Sequence, residues 1–346
     1  MLLATLAVLA VPQRTRACAP APPRGYDVSI VGEEAVIVWD AAKRIEHFIR
    51  RADFSTEAEG FGFIVPTPTV PELVEASSTI FERLAYAIQP REEYRYETSG
   101  ISPTCLLYAT FAMRAGDAAT AGPASVTVLR HQVVAGYDAV VLEASDPAAL
   151  SKWLADNGYA EGDTLRAWAA PYIDKRWKFT AFKLATPEGQ GGLATSPVRM
   201  SFSTDAPFYP YREPADQREG EGEGEGGAGD RSLRVFFVSD ERYAGSLPGD
   251  AHWPAEAVYA GGVGVELFDG LVPEDSIPGA PYLTAFLDES SPRPGTDDVF
   301  FAPSNDGDVT PEPIVHVVDQ GVPIPVELLV PIVGVIWYVR RRRRRT

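Results

Sequence analysis

Short apolar runs separated by polar turns occupy most of the chain between residues 28 and 240. Val28-Ser-Ile-Val, the Gly32-Glu33-Glu34 triplet and Ala35-Val-Ile-Val-Trp39 read as a hairpin turning on Gly-Glu-Glu. Residues 46–54 and 61–66 read as further strands. Thr69-Val-Pro-Glu72 has capping-box spacing with proline in the first turn, and Leu73, Ala76, Ile80 and Leu84 recur at helical spacing. Together they predict an amphipathic helix over 70–89. Strands are expected over 126–134 and 137–143. Asp146-Pro147 opens a helix with Leu150, Trp153 and Leu154 on its apolar face, and Asn157-Gly158 closes it. A second helix follows over 163–174, then strands over 177–186, 197–204 and 233–238.

Two stretches break this rhythm. Residues 218–230 are a Gly/Glu repeat, expected to be a disordered acidic loop. Residues 241–321 read as an extension of the 18–240 ectodomain, its 270–321 part rich in Pro, Gly and Asp and expected to be irregular loops plus a stalk. Strands interrupted by a few helices, without strict βαβ alternation, predict an α+β fold with antiparallel or mixed sheets.

The two ends have a different character. Residues 2–11 are an apolar stretch of signal-peptide length, and Ala17 is placed to precede a cleavage site, so residues 1–17 are expected to be a removed leader. No basic residue precedes the apolar run; Arg14 and Arg16 follow it. Near the other end, residues 322–339 are apolar, and the six arginines Arg340, Arg341, Arg342, Arg343, Arg344 and Arg345 follow directly. Eighteen helical residues span roughly 27 Å against a hydrocarbon core of about 30 Å. Val322, Leu328, Leu329, Ile332, Val333, Ile336 and Trp337 would form this anchor, with Glu327 in its outer part and Pro331 kinking it. Basic flanks stay cytoplasmic, so the arginines predict a single-pass protein of the cell membrane with its body outside and 340–346 inside. A C-terminal sorting signal clipped during export has the same plan.

Charge sharpens this picture. Without Arg14, Arg16 and the six terminal arginines, residues 18–321 hold 23 basic against 47 acidic residues. Such a field repels phosphates, so no nucleic-acid partner is expected; the lipid bilayer is the one partner the sequence points to. Cys18 and Cys105 are the only cysteines, which in an exported protein predicts one disulfide; the alternative is two unpaired thiols.

Recognisable chemistry is sparse. His47, His131, His252 and His316 are isolated; no metal-binding histidine spacing, nucleophile elbow or phosphate-binding glycine loop occurs. The sequence therefore names no catalytic residue, cofactor or metal. Glu46-His47, beside Arg50, Arg51 and Asp53, is the densest polar cluster near an expected core, but strand alternation sends Glu46 and His47 to opposite faces. Asn305-Asp-Gly-Asp308 is an acidic turn that lacks EF-hand spacing. Trp153, Trp168, Trp177 and Tyr159 suit a core or a binding groove.

Several segments are similar to a bacterial family of unknown function, DUF2330. They are Cys18-Ala-Pro, Gly32 to Asp40, His47 to Phe54, Phe61 to Pro68, Trp153 to Tyr159, Trp177 to Lys183, and Pro197 to Phe202 followed by Pro207 to Pro210. The resemblance implies bacterial origin, an export signal and often a C-terminal helix. It implies no substrate, cofactor or catalytic residue. The function expected is a membrane-anchored binding or scaffolding ectodomain; the alternative is an extracytoplasmic hydrolase-like enzyme.

Overall fold

The computed structural model describes residues 28–56, 62–97, 101–103, 130–159, 162–184, 196–215, 232–249, 251–291, 293–319, 322–324 and 337–344. Two compact units divide the chain: residues 1–89 with 126–310, and residues 90–125 with 311–346. In chain order the elements are β1 (Val28–Asp40), β2 (Ile45–Thr56), β3 (Gly62–Thr67), β4 (Glu72–Glu75), α1 (Thr79–Ala87), β5 (Glu92–Glu97), β6 (Ile101–Pro103), β7 (His131–Val134) and β8 (Tyr137–Glu143). Next come α2 (Pro147–Asp156), α3 (Asp163–Asp174), β9 (Lys178–Leu184), β10 (Val198–Ser203), β11 (Phe208–Tyr209), β12 (Ser232–Ser239), β13 (Tyr243–Ser246) and β14 (Glu256–Gly262). The last are β15 (Tyr282–Asp288), β16 (Val299–Pro303), β17 (Ile314–Asp319) and β18 (Val322–Ile324).

The first unit is layered around a seven-stranded sheet of order β14-β15-β12-β1-β2-β10-β4, whose single parallel pair is β1 with β12. Alternation gives it two apolar faces. On one, Ala35, Ile37, Phe48, Met200, Val235 and Phe237 meet the antiparallel sheet β3-β9-β8-β7 and the small sheet β11-β16-β13. On the other, Val36, Val38, Ile49, Phe236 and Ala285 pack under α1 and the segment carrying Phe268, Leu271 and Val272. The far side of the four-stranded sheet is covered by α2 and α3 through Leu150, Leu154, Trp168 and Tyr172. The α+β class and mixed sheets match the sequence reading.

Local chemistry explains several elements. The β7–β8 hairpin turns on Ala135 and Gly136, both at positive φ (54° and 83°), the geometry a two-residue primed turn requires. Helix α2 begins where Asp146 accepts a hydrogen bond from the Ala149 N–H at 2.8 Å, with Pro147 in the first turn, and stops before Gly158 at φ 79°. Asp146→Ala is therefore expected to cost about 1 kcal/mol in urea unfolding, the usual loss for a removed cap.

Three local expectations give way. Glu72–Glu75 is an edge strand, and the helix occupies only Thr79–Ala87. Instead of capping a helix, Thr69 Oγ1 donates to the Ser203 carbonyl and accepts from the Ser203 N–H, both at 3.0 Å. Ladder pairing with β10 outweighs the helical spacing. Gly32-Glu33-Glu34 is no turn either: β1 runs through it, with a bulge between Ile30 and Gly32, and the chain reverses at 41–44, where Arg44 has φ 54°. Residues 241–321 are not irregular throughout. They supply β14 and β15 of the main sheet and β13 and β16 of the small one; short apolar runs sit between prolines and glycines that dominate the composition.

The second unit holds two parallel ribbons, β17 with β5 and β18 with β6, with the Tyr94 and His316 rings stacked at 5.0 Å. Val322 thus lies in a strand, not in the first turn of a helix over 322–339; parallel pairing with Ile101 takes its backbone. Residues 337–343 are helical, and the Arg341 guanidinium lies 4.9 Å over the exposed Trp337 ring. Among the described residues no helix is long and apolar enough to cross a membrane.

Candidate functional site

Strand β2 carries polar side chains into both faces of the main sheet, and each face holds a buried cluster. On the face shared with the two smaller sheets, the Arg50 Nε and the Tyr209 hydroxyl both donate to Glu33 Oε1 at 2.6 Å. Arg293 is 2% exposed and lies within 3.7–3.8 Å of Glu33, Glu213 and Asp288. Asp288 also accepts from the Tyr211 hydroxyl at 2.8 Å and from the Ser290 N–H and hydroxyl. Burial, and then Asp288, push the Tyr211 hydroxyl well up, so it remains a donor. Glu46 lies on this side too, fully buried, with the Phe208 N–H donating to Oε2 at 2.9 Å; burial pushes its carboxyl well above the ordinary range.

Nearby in the same unit, Asp298 is 1% exposed and accepts from the Tyr172 hydroxyl at 2.8 Å and from the Arg212 N–H at 3.3 Å. Burial raises its carboxyl to about 6.

His47 enters the opposite face, as alternation requires. It is 3% exposed, and its Nδ1 lies 2.8 Å from Ser201 Oγ on the paired strand β10. Its Nε2 is buried without a hydrogen-bond partner among the described residues. Burial, then the charge of Arg199, hold the imidazole down to about 4, so it is neutral at pH 7. Lys43 bonds the Asp275 carbonyl and carboxylate, both at 2.8 Å, and pairs with Asp40 at 3.0 Å.

This arrangement has the serine–imidazole contact of a nucleophile and its base, but among the described residues no carboxylate holds the second ring nitrogen, and so low a pKa makes a weak base. Among the described residues no three His, Cys, Asp or Glu side chains gather into a metal site. In the Asn305–Asp308 turn, Asp308 accepts from the Tyr282 hydroxyl at 2.8 Å, and Asp306 from the Ser304 hydroxyl at 2.7 Å. Trp168 is buried and Trp153 and Trp177 pack against the same cluster, so these rings are core.

Among the described residues, the others singled out in the sequence are not gathered at either cluster. Cys18, Cys105, Leu328, Leu329, Ile332, Val333, Ile336 and Arg345 lie outside the described residues, as do residues 1–17 and 218–230. Sequence reasoning missed Arg199, Ser201, Asp288 and Arg293. One signal was available: Glu33 and Glu34 interrupt an apolar strand run, and charges at such positions need buried partners.

The family model described as "Uncharacterized protein conserved in bacteria (DUF2330)" matches residues 14–243. Asp275, Asp288 and Arg293 lie beyond that segment. No curated protein and no solved structure matches the chain. The matched segment is well over half of the chain and contains β1, β2 and β10, which carry Glu33, Glu46, His47, Arg50, Arg199 and Ser201; the chain belongs to the DUF2330 family.

Proposed function

We propose that this is an exported, single-pass protein of the bacterial cell membrane whose acidic α+β body binds or scaffolds a partner outside the cell. The observation that carries the reading is the apolar run 322–339 abutting Arg340–Arg345. Exposed Trp337 and Tyr338 at that junction suit a membrane interface belt. A span beginning after β18 has about fifteen residues, roughly 22 Å, so insertion requires local bilayer thinning or release of β18. In this reading residues 1–17 are a removed leader and Cys18 pairs with Cys105.

A binding role suits a body whose buried charges are occupied by one another. The Ser201–His47 contact favours a hydrolase, and the lack of an orienting carboxylate among the described residues weighs against it.

Fractionation of bacteria expressing the full chain tests the reading. The protein should stay with membranes after an alkaline wash, and external protease should digest its body. Its intact mass should begin near Cys18 and gain two alkyl groups only after reduction. Recovery in the soluble fraction with residue 1 retained would overturn both export and anchoring.

A further inference from the structure

Residues 264–277 cross the second face of the main sheet between β14 and β15, built from two short 3-10 turns, Val265–Phe268 and Glu274–Ser276. Phe268, Leu271 and Val272 press onto Val36, Val38, Ile49, Ile80 and Leu84. Three cations from three other places grip its backbone carbonyls. Arg83 of α1 donates to Asp269 at 3.3 Å, Arg199 of β10 to Leu271 at 2.9 Å, and Lys43 of the β1–β2 turn to Asp275 at 2.8 Å. Glycines 261, 262 and 279 flank the segment, Gly264 opens it, and Gly270 at φ 74° lies within it. Flanking glycines can absorb the dihedral changes of a hinge.

His47 lies among these grips. The charges acting on it are Arg199 from β10, Asp40 and Lys43 from the end of β1 and its turn, and Asp275 from the segment. Two cations and two carboxylates balance while the imidazole is neutral. A proton on His47 adds an uncompensated charge in a place closed to water. We propose that residues 264–277 form an acid-released strap: protonating buried His47 turns its neighbourhood against Lys43 and Arg199, and the strap lifts off the apolar second face. Neither membrane anchoring nor the identity of a partner enters this inference.

The sign follows from linkage. An imidazole at about 4 when closed and near its ordinary 6.5 when open binds more protons in the open state between those values. The opening constant therefore rises as pH falls, approaching tenfold per unit and roughly 300-fold in all. Asp275 is held below its ordinary 3.8 by its hydrogen bond to Lys43, so it stays ionised across the window and its own protonation is not the trigger.

Native-state hydrogen exchange on the full chain at pH 7, 5.5 and 4, corrected for intrinsic rates, reads this out. The amides of Leu271, Ser276 and Ile277, bonded only within the strap, should open more as pH falls while those of β12 do not. His47→Gln should flatten the dependence, and Lys43→Met should raise opening at pH 7 while shrinking its total rise towards pH 4, because one of the two cations that oppose the protonated ring is gone. Strap opening that ignores pH, that β12 shares, or that His47→Gln leaves intact overturns the proposal. Should that variant not fold, NMR titration of the wild-type ring decides: a midpoint near 4 that tracks strap opening supports the proposal, and one near 6.5 overturns it.

Discussion

Replacing Arg293 with methionine is expected to cost about 3–5 kcal/mol of folding stability, the usual price of removing one partner from a buried ionic group. Arg293 is 2% exposed and is the cation that Glu33, Glu213 and Asp288 share at 3.7–3.8 Å. Glu33 keeps Arg50 and Tyr209, and Asp288 keeps the Tyr211 and Ser290 donors, so the loss is that of a cation shared by three buried carboxylates. Methionine fills much of the volume of the arginine stem, so the effect is electrostatic rather than a cavity. Urea unfolding of the purified protein at pH 7 measures it. Arg293→Met combined with Glu213→Gln should recover part of the loss, because one of the three carboxylates that repel one another without the cation is neutral. A loss below about 1 kcal/mol, or a double variant worse than the sum of the singles, would contradict a closed cluster.

How this cluster forms explains what the sequence could and could not reveal. Helix α2 was legible because its signals are local: Asp146-Pro147 and Asn157-Gly158 lie within a turn of the residues they cap. Strands β8, β9, β10 and β12 were legible from alternation or apolar runs. Residues 70–76 misled because Leu73 and Ala76 fit a helix and a sheet edge alike, and only β10, far along the chain, decides between them. Glu33-Glu34 looked like a turn because its answering charges, Arg50, Arg51 and Arg293, become neighbours only after pairing. Strand β15 was hidden differently: Tyr282–Asp288 is apolar, but its surroundings are rich in proline and glycine. Of the site, Glu46-His47 and their opposite orientation were foreseen. The residues that answer them, Phe208 through its backbone and Ser201 through its hydroxyl, come from strands whose pairing no local pattern specifies.

Acid acts on the two sides of the main sheet in opposite senses, and Asp298 makes this measurable. A carboxyl raised to about 6 from an ordinary 3.8 keeps its proton in the folded protein over a range in which the unfolded chain has lost it. Its contribution is therefore fully present below about 3.8 and is lost as pH rises through 6. His47, depressed to about 4, contributes the reverse: its share is present above about 6.5 and is lost as pH falls through 4. The Asp298 difference corresponds to about 3 kcal/mol, carried above pH 6 as the cost of an ionised buried carboxylate. Asp298→Asn keeps an oxygen for the Tyr172 hydroxyl and the Arg212 N–H and cannot ionise. The variant should match the wild type near pH 4 and exceed it by up to about 3 kcal/mol at pH 8, the two curves diverging between about 4 and 6. Parallel stability–pH curves for the two proteins would mean that Asp298 titrates as an ordinary surface aspartate. A variant weaker at every pH would mean that its hydrogen bonds to Tyr172 and Arg212, and not its charge, set its worth.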